Sequence, residues 1–114
     1  MTYERFAVVR VPFPFTDRDA AKNRPALVLS RAQAFNTPSG HSVMAMITSK
    51  GHAPWPLDCP IDDLDGAGLP APSVVRFKLF TLDHRLIRGT LGQLGDNDAT
   101  AVIGALQSLV GAPA

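Results

Sequence analysis

Three prolines limit where strands can run in the first part of this chain. Pro12 and Pro14 interrupt an apolar run, Val8-Val9-Arg10-Val11-Pro12-Phe13-Pro14-Phe15, and Pro25 opens a second, Arg24-Pro25-Ala26-Leu27-Val28-Leu29-Ser30. Proline holds φ at about −65° and has no N–H to give a ladder, so a strand must end, bulge or lie on an edge where it occurs. Pro25 also pushes the preceding residue out of the helical region. Arg24 therefore enters the second strand on extended backbone, and its cation is held at a strand mouth. Between the two runs lies a polar loop, residues 16–23, with no glycine.

The remaining segments are short and rich in β-formers. Residues 6–11, 26–29 and 42–47 read as strands, the first two joined by the polar loop and the next reached through turn residues Asn36, Pro38 and Gly40. Residues 52–60 alternate Trp55 and Leu57 with Pro56 and Asp58, which reads as an edge strand with Trp55 as a packing anchor. A turn over 62–70 precedes strands at 73–77 and 79–82, and the glycines in 86–94 predict a bent strand. From Asp96, an N-cap residue type, apolar positions Ala99, Val102, Ile103, Leu106, Leu109 and Val110 recur at helical spacing until Gly111 and Pro113. About six short strands and one C-terminal helix, without βαβ repeats, predict a mainly β chain: a small, strongly bent antiparallel barrel packed by one helix.

At 114 residues, 46% hydrophobic and 18% charged, the chain has the size and composition of one folded domain, 1–114. No signal-peptide pattern opens it and no apolar run is long enough to span a bilayer, so no membrane partner is expected. With Cys59 its single cysteine, it has no internal disulfide, and a reducing, cytoplasmic setting is the expectation. The formal net charge of +1 excludes a general basic coat. Acids Asp58, Asp62, Asp63 and Asp65 gather in the middle, whereas cations spread over both halves.

Several chemistries lack their residues. His41, His52 and His84 are isolated in sequence, and Cys59 has no partner at zinc-site spacing. No nucleophile elbow surrounds a serine, and Gly66-Ala67-Gly68 lies in an acidic turn rather than a phosphate loop. What remains is a set of Arg, Lys, Thr and Ser residues at strand ends. That set suits a phosphodiester, because guanidinium binds phosphate bidentately and hydroxyls supplement it.

The run Pro12-Phe13-Pro14-Phe15-Thr16-Asp17, followed by Lys22-Asn23-Arg24-Pro25-Ala26-Leu27-Val28-Leu29-Ser30, resembles the start of the MazF/PemK (Kid) family of toxins from toxin–antitoxin pairs. Ile47-Thr48-Ser49, Gly68-Leu69, Ser73-Val74-Val75-Arg76, Leu79-Phe80-Thr81-Leu82-Asp83 and Leu91-Gly92-Gln93-Leu94 follow in that family's order. The resemblance implies an SH3-like barrel, a homodimer whose interface helps build an RNA groove, and neutralisation by a cognate antitoxin with an acidic, disordered tail. It implies a sequence-specific endoribonuclease that cuts single-stranded mRNA without a metal or other cofactor, by attack of the 2′-OH on the adjacent phosphate.

Carried over residue by residue, the resemblance makes Arg24, Thr48 and Arg76 the catalytic group. Phe15, Thr16, Asp17, Lys22, Ser49 and Lys78 become substrate contacts, with the loop 15–23 also meeting the antitoxin. In one branch of the family an Asp two residues after the later Arg is proposed as the base; here that position is Lys78, and Asp17 and Asp19 are candidates for the base by location only. Each residue also has a plain role: Thr48 and Ser49 as turn caps, Arg76 as an ion pair with an acid such as Asp83, Phe13 and Phe15 as core or dimer packing. Two other functions fit the same barrel: a CcdB-like gyrase poison, against which the Gly111-Ala112-Pro113-Ala114 ending counts, and an inactive barrel that binds RNA or antitoxin.

Overall fold

The computed structural model describes residues 3–13 and 22–111, so Phe15, Thr16, Asp17 and Asp19 lie outside the described residues. Among the described residues six strands form one sheet: β1 (Ala7–Phe13), β2 (Lys22–Val28), β3 (His41–Ser49), β4 (Cys59–Pro60), β5 (Ser73–Asp83) and β6 (Gly89–Gln93). Their order is β4-β5-β3-β2-β1-β6, with every paired neighbour antiparallel. Two short helices, α1 (Thr37–Ser39) and α2 (Leu64–Ala67), sit in connections, and α3 (Asp96–Val110) closes one face. This is the curled antiparallel barrel with a C-terminal helix that the sequence implies.

The sheet is covered on both sides, which is why the first apolar run is nearly continuous rather than alternating. Val8, Leu27, Leu29, Ala45, Ile47, Val75 and Phe77 pack on one face with Ala99 and Val102 of α3. Ala7, Val9, Val11, Ala26, Val28, Met44 and Leu82 pack on the other, under Tyr3, Leu86 and Ile87. The last turn of α3 leaves this core: Leu109 and Val110 are exposed. Asp98 buries its carboxylate against the acidic turn, accepting hydrogen bonds from the backbone N–H of Asp62 and of Asp63, both at 3.0 Å. Donors of the turn are thereby satisfied at the start of the helix.

Four expectations change. The edge strand over 52–60 shrinks to Cys59–Pro60, because the prolines before it give no ladder donors. Strands 73–77 and 79–82 are one continuous β5, which absorbs its irregularity as a bulge. The N-cap of α3 is Gly95, with Asp96 in the first turn, where a carboxylate still complements the helix dipole. Trp55 is 43% exposed and anchors no core.

Two local devices meet at Met46. Arg10 turns its carbonyl to the Arg88 N–H on the β6 side, so its cross-strand partner Pro25 turns its donorless nitrogen toward β3. The β2–β3 ladder accordingly ends at Ala26↔Met46, and beyond it Arg24 and Thr48 face each other across unpaired backbone. On the other side of β3, pairing jumps from Ala45↔Leu79 to Met46↔Arg76, so β5 advances three residues while β3 advances one. A bulge of this kind bends the strand and re-aims its side chains. One rung of the sheet therefore loses a neighbour on its left and gains a kink on its right, and a cleft opens there.

Candidate functional site

The cleft has a volume of about 280 Å³ and is lined by Phe13, Arg24, Met46, Ile47, Thr48, His52, Arg76 and Lys78. Four residues singled out from sequence thus converge from three strands: Arg24 from β2, Thr48 from β3, Arg76 and Lys78 from β5. Two others stand apart. Ser49 is exposed at the end of β3, opposite Ser73, and Lys22 is exposed at the far end of β2, opposite Phe13; neither lines the cleft. Phe15, Thr16 and Asp17 fall in the segment outside the described residues.

Arg76 is held from behind. Asp58 accepts from its Nε at 3.2 Å and its Nη2 at 2.9 Å, and the Ala53 carbonyl accepts from Nη2 at 2.8 Å. The expected ion pair with Asp83 does not form; Asp83 pairs instead with Arg85 at 2.8 Å, two residues away on a 3₁₀ turn. The hydrogen bond from Arg76 holds the Asp58 carboxyl below the usual carboxylate range against the opposing effect of desolvation, and the same bond raises the Arg76 guanidinium further. Asp58 also accepts from the Trp55 N–H at 3.0 Å, so the loop before β4 is folded around this pair. Two Nη1 donors of Arg76 stay uncommitted among the described residues.

The other cations rest on aromatic rings. Arg24 lies over Phe13, its Cζ 5.7 Å from the ring centroid, and Lys78 Nζ sits 4.5 Å from the Trp55 centroid. Phe13 and Trp55 are both close to half exposed, so each presents ring surface at the rim rather than filling the core. Among the described residues no carboxylate pairs with Arg24 or Lys78. Among the described residues three cations stand against one carboxylate, and the guanidinium, ammonium and hydroxyl donors of the cleft match the oxygens of a phosphodiester.

Sequence reasoning missed His52, Phe13 and Asp58 as parts of this site. In sequence His52 is as isolated as the other two histidines. The sole available signal is its place on the turn just after Thr48-Ser49-Lys50, which brings it back over the strand end. The other two histidines are elsewhere: His41 bonds the Ser39 carbonyl and His84 the buried Ser42 hydroxyl. Cys59 is buried, and desolvation, with the Asp58 charge second, pushes its thiol up, so it is not a reactive thiolate. Among the described residues no cluster of His, Cys, Asp or Glu is arranged to hold a metal ion, and no helix is long and apolar enough to cross a membrane.

Fold and cleft together define a class: a small curled-barrel protein with a cation-lined pocket where its central strands part. The family model described as PemK-like, MazF-like toxin of type II toxin-antitoxin system matches residues 4–110, and the chain belongs to that family. No curated protein matches it. Among solved structures, MazE–MazF from Deinococcus radiodurans in its third crystal form superposes with a TM-score of 0.77 at 26% identity, over 99% of this chain and 100% of that one. MazF from the same organism gives 0.74 at 28% identity over 98% and 99%. An endoribonuclease from Mycobacterial species gives 0.76 over 100% and 96%, and at 18% identity that likeness speaks to the fold alone.

Proposed function

We propose that this toxin is a metal-independent endoribonuclease that cuts single-stranded mRNA by attack of a ribose 2′-OH on the adjacent phosphate. The supporting observation is the convergence of Arg24, Thr48, Arg76 and Lys78 on one cleft of a MazF-type fold. In the reaction a bond forms between O2′ and phosphorus and the P–O5′ bond breaks, leaving a 2′,3′-cyclic phosphate and a 5′-hydroxyl. Charge builds on the non-bridging oxygens as phosphorus becomes five-coordinate. Arg24 and the Nη1 end of Arg76 neutralise it, and the Thr48 hydroxyl donates to the same group. Lys78 and the two rim aromatics hold the flanking nucleotides, with bases stacked on Phe13 or Trp55.

The protein acts in the cytoplasm as a homodimer and is silenced by a cognate antitoxin whose acidic tail competes for the same cations, as charge complementarity favours. A second reading, a barrel that binds RNA without cutting it, draws support from one observation: among the described residues the carboxylate at the cleft, Asp58, is spent on Arg76. One experiment separates the two. Purified protein is incubated with mixed single-stranded RNA in EDTA, and product ends are identified. Cyclic phosphate ends from wild type, with a loss on the order of a hundredfold in Arg24→Ala and in Thr48→Ala at unchanged folding, support the proposal. Intact RNA across many sequences, with binding retained, supports the second reading.

A further inference from the structure

The reaction above needs a group to take the proton from the attacking 2′-OH, and the cleft narrows the choice. Arg24, Arg76 and Lys78 carry only donors, and a threonine hydroxyl is a poor proton acceptor. Among the described residues the one carboxylate paired with the lining, Asp58, already accepts three hydrogen bonds, two from Arg76 and one from the Trp55 N–H. Among the described lining residues this leaves His52, the one side chain of a type that gains and loses a proton in the neutral range. It is exposed on the turn that leaves β3, within the same cavity wall as Thr48 and Arg76.

We infer that His52 is the general base of the cleavage, a role that rests on the ribonuclease reading above. The neutral imidazole takes the proton of the 2′-OH as the O2′–P bond forms. The 5′-oxygen leaves as the P–O5′ bond breaks and takes a proton from water, and the imidazolium then returns its proton to solvent. The groups facing this position are Arg24 from β2, Thr48 from its own strand, and Arg76 and Lys78 from β5, with Asp58 behind Arg76. The three cations stabilise the phosphorane.

The test is a pH–rate profile. Wild-type kcat/KM on a single-stranded RNA should rise with pH, as a reaction that needs a deprotonated base does, and His52→Ala should lose that rise together with about a hundredfold or more in rate at neutral pH. Added imidazole should restore part of the rate to His52→Ala, since the site is open, and a purely structural role would not produce that rescue. His41→Ala, at the opposite end of β3, should leave rate and profile unchanged. An unaltered profile in His52→Ala overturns the assignment while leaving the ribonuclease reading standing. Loss of the rise in Asp17→Asn or Asp19→Asn instead overturns it in favour of the loop. Wild-type protein that binds RNA without cutting it overturns the ribonuclease reading itself, and the base with it.

Discussion

Replacing Asp58 by asparagine asks whether Arg76 works because of its charge or because of where that charge is held. In the native pair both carboxylate oxygens accept, from Nε at 3.2 Å and from Nη2 at 2.9 Å, and the Trp55 N–H donates at 3.0 Å. Asparagine has nearly the same shape but one oxygen; its NH₂ must meet a guanidinium or backbone donor head-on. Arg76 then keeps its Nη2 bond to the Ala53 carbonyl at 2.8 Å and swings about it. A misplacement on the order of 1 Å at a reacting centre costs about a hundredfold in rate. Asp58→Asn should therefore lower kcat/KM for single-stranded RNA about a hundredfold although every cation is still present, and Arg76→Ala should fall further.

The same variant carries a signature in stability. Because Arg76 hydrogen bonding puts the folded-state pKa of Asp58 below its unfolded value, the pair's contribution is fully present above the ordinary carboxylate range, about pH 3.9 for aspartate, and is lost as pH falls through the lower folded value. Asparagine does not titrate, so the thermal midpoint of Asp58→Asn should decline less steeply under acid than that of the wild type. The assays are steady-state cleavage of a labelled oligonucleotide and thermal melts from pH 7 down to pH 2. Unchanged kcat/KM in Asp58→Asn beside an inactive Arg76→Ala would refute the positioning argument.

Trp55→Ala removes the ring that Lys78 rests on and should raise KM for RNA about tenfold with little change in kcat, since a stacked base is bound equally in ground and transition states. Trp55 is the single tryptophan of the chain, so RNA titration should quench the wild-type emission directly. Gly92→Ala tests the fold away from the cleft: a Cβ there would stand 2.8 Å from the Ala67 carbonyl oxygen and closer still to that of Gly66. Backbone cannot yield as a side-chain tip can, so urea unfolding should show a loss of about 1–3 kcal/mol, with cleavage by the folded fraction unchanged.

The elements that carry chemistry were legible for different reasons. Arg24 was placed by a purely local rule, the steric effect of Pro25 on the residue before it, and the structure shows that the same proline also ends the β2–β3 ladder beside it. Thr48 and Arg76 entered through family order in the sequence. Their meeting depends on the register Met46↔Arg76, which no local rule supplies. Asp58 was read as one of an acidic cluster, because sequence distance hides that an eighteen-residue excursion returns it to Arg76. Trp55 was read as an anchor on grounds of size and flanking prolines, whereas the loop folds with its ring outward.

Short runs of β-formers, proline position and helical spacing determine by themselves that this chain is a bent antiparallel sheet with a terminal helix, because each acts within a few residues through backbone sterics and hydrogen-bond supply. Which charges share a cavity was decided by tertiary structure alone. Pairing register and the bulge opposite Met46 are set by the whole sheet closing over two apolar faces, and only that closure brings His52, Arg24, Arg76 and Lys78 around one cleft while pairing Asp58 with Arg76.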